Sequence, residues 1–148
     1  MRGTMKLQLL AARALALGGV ILMGMGLYFV FLRPPLLPED TRFMGATIGQ
    51  IQATLPGLER WLARVFGVLG GYMFASGLLT VYVAATTFKS GRLGPLAVIA
   101  VSGFASIGWM AITNFAIDSE FKWTLLACAL PWVVALVLSW FGGRKIQK

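Results

Sequence analysis

The chain has 148 residues, 58% of them hydrophobic and 12% charged, with a mean hydropathy of +0.80. It carries 13 Lys and Arg against 5 Asp and Glu, a formal net charge of +8. A soluble domain is normally about one-quarter charged, which excludes an ordinary soluble enzyme. There is no histidine and a single cysteine, Cys128. The first absence removes the commonest general base and metal or haem ligand. The second forbids an internal disulfide, a CxxC redox pair or a cysteine-based zinc site. No metal site, cofactor or catalytic residue is expected.

All charges fall outside four windows, 15–32, 65–88, 93–117 and 123–143. Each is long enough to cross a hydrocarbon core of ~30 Å as a helix, which takes about 18–20 apolar residues. Backbone in lipid must satisfy its own hydrogen bonds, so the windows predict four transmembrane helices, at about 14–32, 65–88, 95–117 and 120–142. The short alternating segments of a membrane barrel are absent. The first window follows Arg2, Lys6 and Arg13 as a signal peptide would. It ends in Phe31-Leu32-Arg33-Pro34 without a small-residue cleavage site, so it is expected to stay attached.

Next comes the loop 33–64. Arg33-Pro34-Pro35-Leu36-Leu37-Pro38 predicts an extended segment that turns at Glu39-Asp40. Thr47 can cap a short helix over 48–54. Pro56 begins a second piece, in which Leu58, Trp61, Leu62 and Val65 recur at helical spacing. That piece is a short amphipathic helix, lying on the membrane or on its own bundle and running into helix two. Glu39, Asp40 and Glu59 are the loop's carboxylates and are expected to be solvated.

Helix two carries Gly67 and Gly71 as a GxxxG, with Gly70 and Gly77 on an adjacent face. These are candidates for close helix packing, within the bundle or against a partner. Helix one adds Gly18, Gly19, Gly24 and Gly26, and its Met23, Met25 and Phe29 are read as packing or lipid-facing residues. Tyr72, Ser76 and Thr80 on helix two, with Ser102, Ser106, Thr113 and Asn114 on helix three, form a candidate polar seam. Such residues hold a ligand, or bond between helices or back to their own backbone. Lys89-Ser90-Gly91-Arg92-Leu93-Gly94, followed by Pro95, predicts a tight antiparallel hairpin of helices two and three. Asp118 or Ser119 is expected to cap helix four, where Pro131 predicts a kink or local reorganisation. Trp61, Trp123 and Trp140 are candidate interface anchors.

Four spans put both termini and the 89–94 turn on one side. That side holds Arg2, Lys6, Arg13, Lys89, Arg92, Arg144, Lys145 and Lys148 and no acid. The positive-inside rule then places both termini in the cytoplasm. The basic excess is read as topology and attraction to anionic lipid, with no nucleic-acid partner.

Leu37-Pro38-Glu39-Asp40, Arg42-Phe43-Met44-Gly45 and Gly70-Gly71-Tyr72-Met73-Phe74 resemble small bacterial four-helix inner-membrane proteins with an L-P-E-D loop segment. The resemblance covers about residues 30–90. It implies a bacterial inner-membrane location and no chemistry or site residues. None of the four windows holds the carboxylate, cysteine pair or histidine pair that proton-coupled export, thiol redox or haem electron transfer requires. The leading expectation is therefore a structural or accessory subunit. It would pack among membrane lipids into a larger complex or homo-oligomer. The alternative is a binder or carrier of a lipid, quinone or other apolar molecule between helices two and three.

Overall fold

The computed structural model describes residues 2–88 and 93–144. Its elements are α1 (Arg2–Phe31), α2 (Pro38–Met44), α3 (Ile48–Thr54), α4 (Leu58–Thr86), α5 (Leu93–Gly103), a π-helical turn (Phe104–Gly108), α6 (Trp109–Ala116) and α7 (Lys122–Arg144). There is no strand among the described residues. Four stretches are long and apolar enough to span a membrane: Gly3–Phe31, Leu58–Thr86, Gly94–Ala116 and Lys122–Gly143. The chain is an all-α bundle of four such helices.

Two spans begin earlier than their uncharged windows. α1 extends back past Arg13 and Lys6, which stay exposed while Gln8, Ala11, Ala12 and Leu15 are buried. The amphipathic piece runs without a break into helix two, as expected, and forms the opening of α4, so the intervening loop closes at Gly57. The turn expected at Glu39-Asp40 is instead α2. Pro38 occupies its first turn, Asp40 Oδ2 accepts the Leu37 N–H at 2.9 Å, and Gly45 ends it at φ 67°. α3 forms as expected, with the Thr47 hydroxyl accepting from the Gln50 N–H and Gln50 Oε1 from the Thr47 N–H. The third span is interrupted by the π-helical turn, in which the Trp109 N–H reaches back to the Phe104 carbonyl. α7 runs unbroken through Pro131.

α1 is the centre of the bundle. It packs along α4 on one side and α7 on the other, and α7 in turn carries α5, the π-helical turn and α6. The expected hairpin packing of helices two and three is not formed among the described residues, where α4 has no extensive contact with α5 or α6. The physical reason is backbone depth. A Cβ added at Gly70 would lie 2.6 Å from the Gly26 carbonyl oxygen, and one at Gly77 would lie 2.6 Å from that of Gly19. These two glycine pairs let α1 and α4 approach to backbone contact, and close packing is what associates helices in lipid. No such pair joins α4 to the third span. Lys89-Ser90-Gly91-Arg92, expected to form the hairpin turn, lies outside the described residues.

The buried apolar cluster, which includes Ala11, Leu15, Leu22, Phe88, Ile99, Ile107, Trp132 and Ala135, runs from the end that carries the chain termini to mid-span. Trp132 wedges there between α1 and the third span, its indole seated against Gly18 and Gly103. Gln8 Nε2 donates to the Ser139 carbonyl at 3.2 Å and Ser139 Oγ donates to Gln8 Oε1 at 3.4 Å, tying α1 to α7. At the opposite end, under residues 33–57, α1 and α4 stay packed through Gly26, Gly70, Phe29 and Phe66, while clefts open beside the third span.

Candidate functional site

Two clefts occupy that loop end. The wider, of about 520 Å³, lies between α1, α6 and α7. Its walls are apolar, including Met25, Phe29, Met110, Ile117, Leu125 and Cys128, with Thr113, Asn114 and Thr124 among them. Arg33, Glu39 and Asp40 line it as well, from the segment that follows α1. The narrower, of about 370 Å³, fills the gap between α4 and the third span. The clefts share Phe29, Met110, Thr113 and Asn114. Both volumes fall in the range of small-molecule sites, roughly 300–1,000 Å³.

α2 holds the charged groups in place by bridging the end of α1 and the turn before α7. Arg33 Nη1 donates to the Pro34 carbonyl at 2.8 Å, Nη2 pairs with Asp40 Oδ2 at 3.5 Å, and the guanidinium stacks 3.5 Å from the Phe66 ring centre. Burial pulls the Arg33 pKa down, while Asp40 and Tyr28 oppose that shift. An arginine so placed still keeps its charge at any physiological pH. On the far side Arg42 Nη2 donates to the Asp118 carbonyl at 2.8 Å. Ser119 Oγ donates to Glu39 Oε1 at 2.9 Å.

Glu39 is 2% exposed, so the expectation of solvated loop carboxylates fails for it. Helix α2 turns this side chain inward against the buried Ser119, whereas Glu59 stays partly exposed and accepts from Gln52. The expected capping at α7 is also divided. Ser119 Oγ accepts the Phe121 N–H at 3.1 Å, and Asp118, at φ 51°, ion-pairs with Lys122. That pairing holds the Asp118 carboxyl below its ordinary pKa.

Five of the seven seam residues, Tyr72, Ser76, Ser106, Thr113 and Asn114, line the narrower cleft. Thr80 is buried and Ser102 lies off the cleft. The seam makes no hydrogen bond between helices among the described residues. Thr80 donates to the Ser76 carbonyl at 2.8 Å, Ser106 to Ser102 at 2.7 Å and Asn114 to Met110 at 2.9 Å, each within its own helix.

The glycine candidates split. Gly70 and Gly77 are consumed by packing on α1, whereas an added Cβ at Gly67 or Gly71 meets nothing within 4 Å. Gly24 is likewise open and lines the wider cleft. Trp61, Trp123 and Trp140 all project outward.

Sequence reasoning missed Arg33 as a site residue and Trp132, Gln8 and Ser139 as packing residues. In sequence Arg33 reads only as a charge at the end of a span. Gln8 sits before the first uncharged window, outside the stretch whose polar groups stand out.

Compared with protein-family models, with characterised proteins and with solved structures, the chain matches none.

Proposed function

We propose that the chain binds an apolar-tailed amphiphilic molecule from the membrane in the wider cleft. The observation that carries this reading is the pairing of an apolar cleft with a polar end built from Arg33, Asp40 and the buried Glu39. The cleft places side chains of both signs where a head group would sit. The site stands between helices one, three and four, with a side branch into the gap between helices two and three.

The reading includes a bacterial inner-membrane location with both termini cytoplasmic. It rests on the basic residues of the termini and the 89–94 turn. The cleft and its polar end then face the outer leaflet.

A second reading, an accessory subunit that packs against another membrane protein or a second copy, is favoured by Gly67 and Gly71. They lie on a face that nothing in the bundle covers. The two readings are compatible.

The test is purification in mild detergent, followed by native mass spectrometry with and without organic extraction. About one equivalent of an extractable apolar molecule is expected on the wild-type chain. A Gly24→Phe chain, whose new ring grows into the open cleft, is expected to lack it. A wild-type chain that carries no extractable molecule and accepts none when supplied overturns the reading.

A further inference from the structure

We infer that the polar end of the wider cleft selects a single-chain amphiphile with a primary ammonium head, held by Glu39. The inference rests on the cleft-binding reading above and deepens it. Its basis is that the charges at this end do not cancel. Arg33 is already engaged, Nη1 by the Pro34 carbonyl at 2.8 Å and Nη2 by Asp40 at 3.5 Å. Asp40 in turn accepts the Leu37 N–H at 2.9 Å. That pair is closed and neutral.

Glu39 is left over. Its Oε1 accepts one hydrogen bond from a neutral hydroxyl, that of Ser119. Its Oε2 accepts none among the described residues, and no described lysine or arginine nitrogen comes within 4.0 Å of either oxygen. Arg33 is the nearby cation, and it acts on Glu39 only through space while bonded to Asp40. No side-chain oxygen among the described residues is both sealed from solvent and unpartnered, so Oε2 keeps a small opening on the cleft. There a cation and hydrogen-bond donors can offset the cost of holding a charge at so little exposure.

An ammonium head supplies both, one positive charge and three N–H donors. A carboxylate or phosphate head brings the wrong sign against Glu39 and must compete with Asp40 for Arg33. A hydroxyl head offers one donor and no charge, so it binds less tightly than the amine. Below the head, Met25, Met110, Ile117, Leu125 and Cys128 provide an apolar path for the tail. A cleft of about 520 Å³ suits one chain more than two.

The experiment offers the full-length detergent-purified protein three probes with one tail and different heads: hexadecylamine, hexadecanol and hexadecanoic acid. Occupancy is read by native mass spectrometry at equal probe concentrations. Wild type is expected to hold the amine about tenfold more tightly than the alcohol or the acid, the scale of one charge-assisted hydrogen bond. In Glu39→Gln, which keeps an acceptor for Ser119, the preference for the amine over the alcohol is expected to disappear. Equal binding of amine and alcohol to wild type, or an amine preference that survives Glu39→Gln, overturns the inference and leaves the cleft reading standing. Failure of wild type to bind any of the probes overturns both. If Glu39→Gln does not fold, the head preference of wild type decides the matter alone.

Discussion

Ser119 and Glu39, 80 positions apart, share a 2.9 Å hydrogen bond at the loop end of the bundle, and both side chains are buried. This bond fastens α2 over the turn before α7 and fixes the one carboxylate of the cleft that lacks an ion pair. Ser119→Ala removes the only hydrogen bond made to the Glu39 carboxylate among the described residues. A loss of about 1–3 kcal/mol is expected, the cost of an unsatisfied buried polar group. Thermal unfolding in detergent measures it, and a melting temperature equal to wild type would show that the bond contributes nothing.

Gly70 and Gly77 face backbone atoms of α1, so even a methyl group there forces the helices apart. Gly70→Leu and Gly77→Leu are expected to destabilise the fold by at least about 1–3 kcal/mol, the usual range of overpacking. Gly67→Leu and Gly71→Leu should leave monomer stability unchanged. Any effect they have should appear in the oligomeric state, read by light scattering. Equal destabilisation by all four would contradict the assignment of faces.

Trp132 fills the space left by two missing side chains, at Gly18 and Gly103, and is 4% exposed. Trp132→Ala should cost about 3–5 kcal/mol, as large-to-small replacements of buried aromatics do. A compensating Gly103→Leu in the same chain should recover part of it. A double mutant no more stable than Trp132→Ala argues against the wedge.

Lys122 holds Asp118 below its ordinary pKa of 3.8. A depressed carboxylate adds stability above its unfolded-state pKa and loses it as pH falls through the folded-state value. Melting temperature should therefore drop on acidification below about pH 4, and drop less in Lys122→Gln. The group is fully exposed, so the effect is small and fades with added salt. Identical acid profiles for the two proteins would exclude the linkage.

The four spans were legible because charge exclusion over some twenty residues is a strong physical constraint in lipid. α3 was legible from Thr47 and Gln50. α2 carried its own signals, with Pro38 in the first turn, two acids beside it and Gly45 at the end. The preceding prolines obscured them, and the inward turn of Glu39 went with them. The partner of each helix was not legible. Gly19, Gly26, Gly70 and Gly77 each mark a close approach, but only the assembled bundle shows that they meet pairwise. The cleft was invisible for the same reason. It is the space between elements, and of the seam residues that line its side branch Ser106 and Asn114 bond back to their own helix.

Cys128 lines the wider cleft and is the sole cysteine of the chain, so its alkylation reports on that space alone. The most direct measurement is the rate of Cys128 labelling by a lipophilic maleimide in detergent, with and without hexadecylamine. The amine is expected to slow labelling of wild type at concentrations at which Glu39→Gln is still labelled freely, and Gly24→Phe is expected to be slow without any ligand. Labelling of wild type at one unchanged rate across the amine titration would contradict binding of the amine in this cleft.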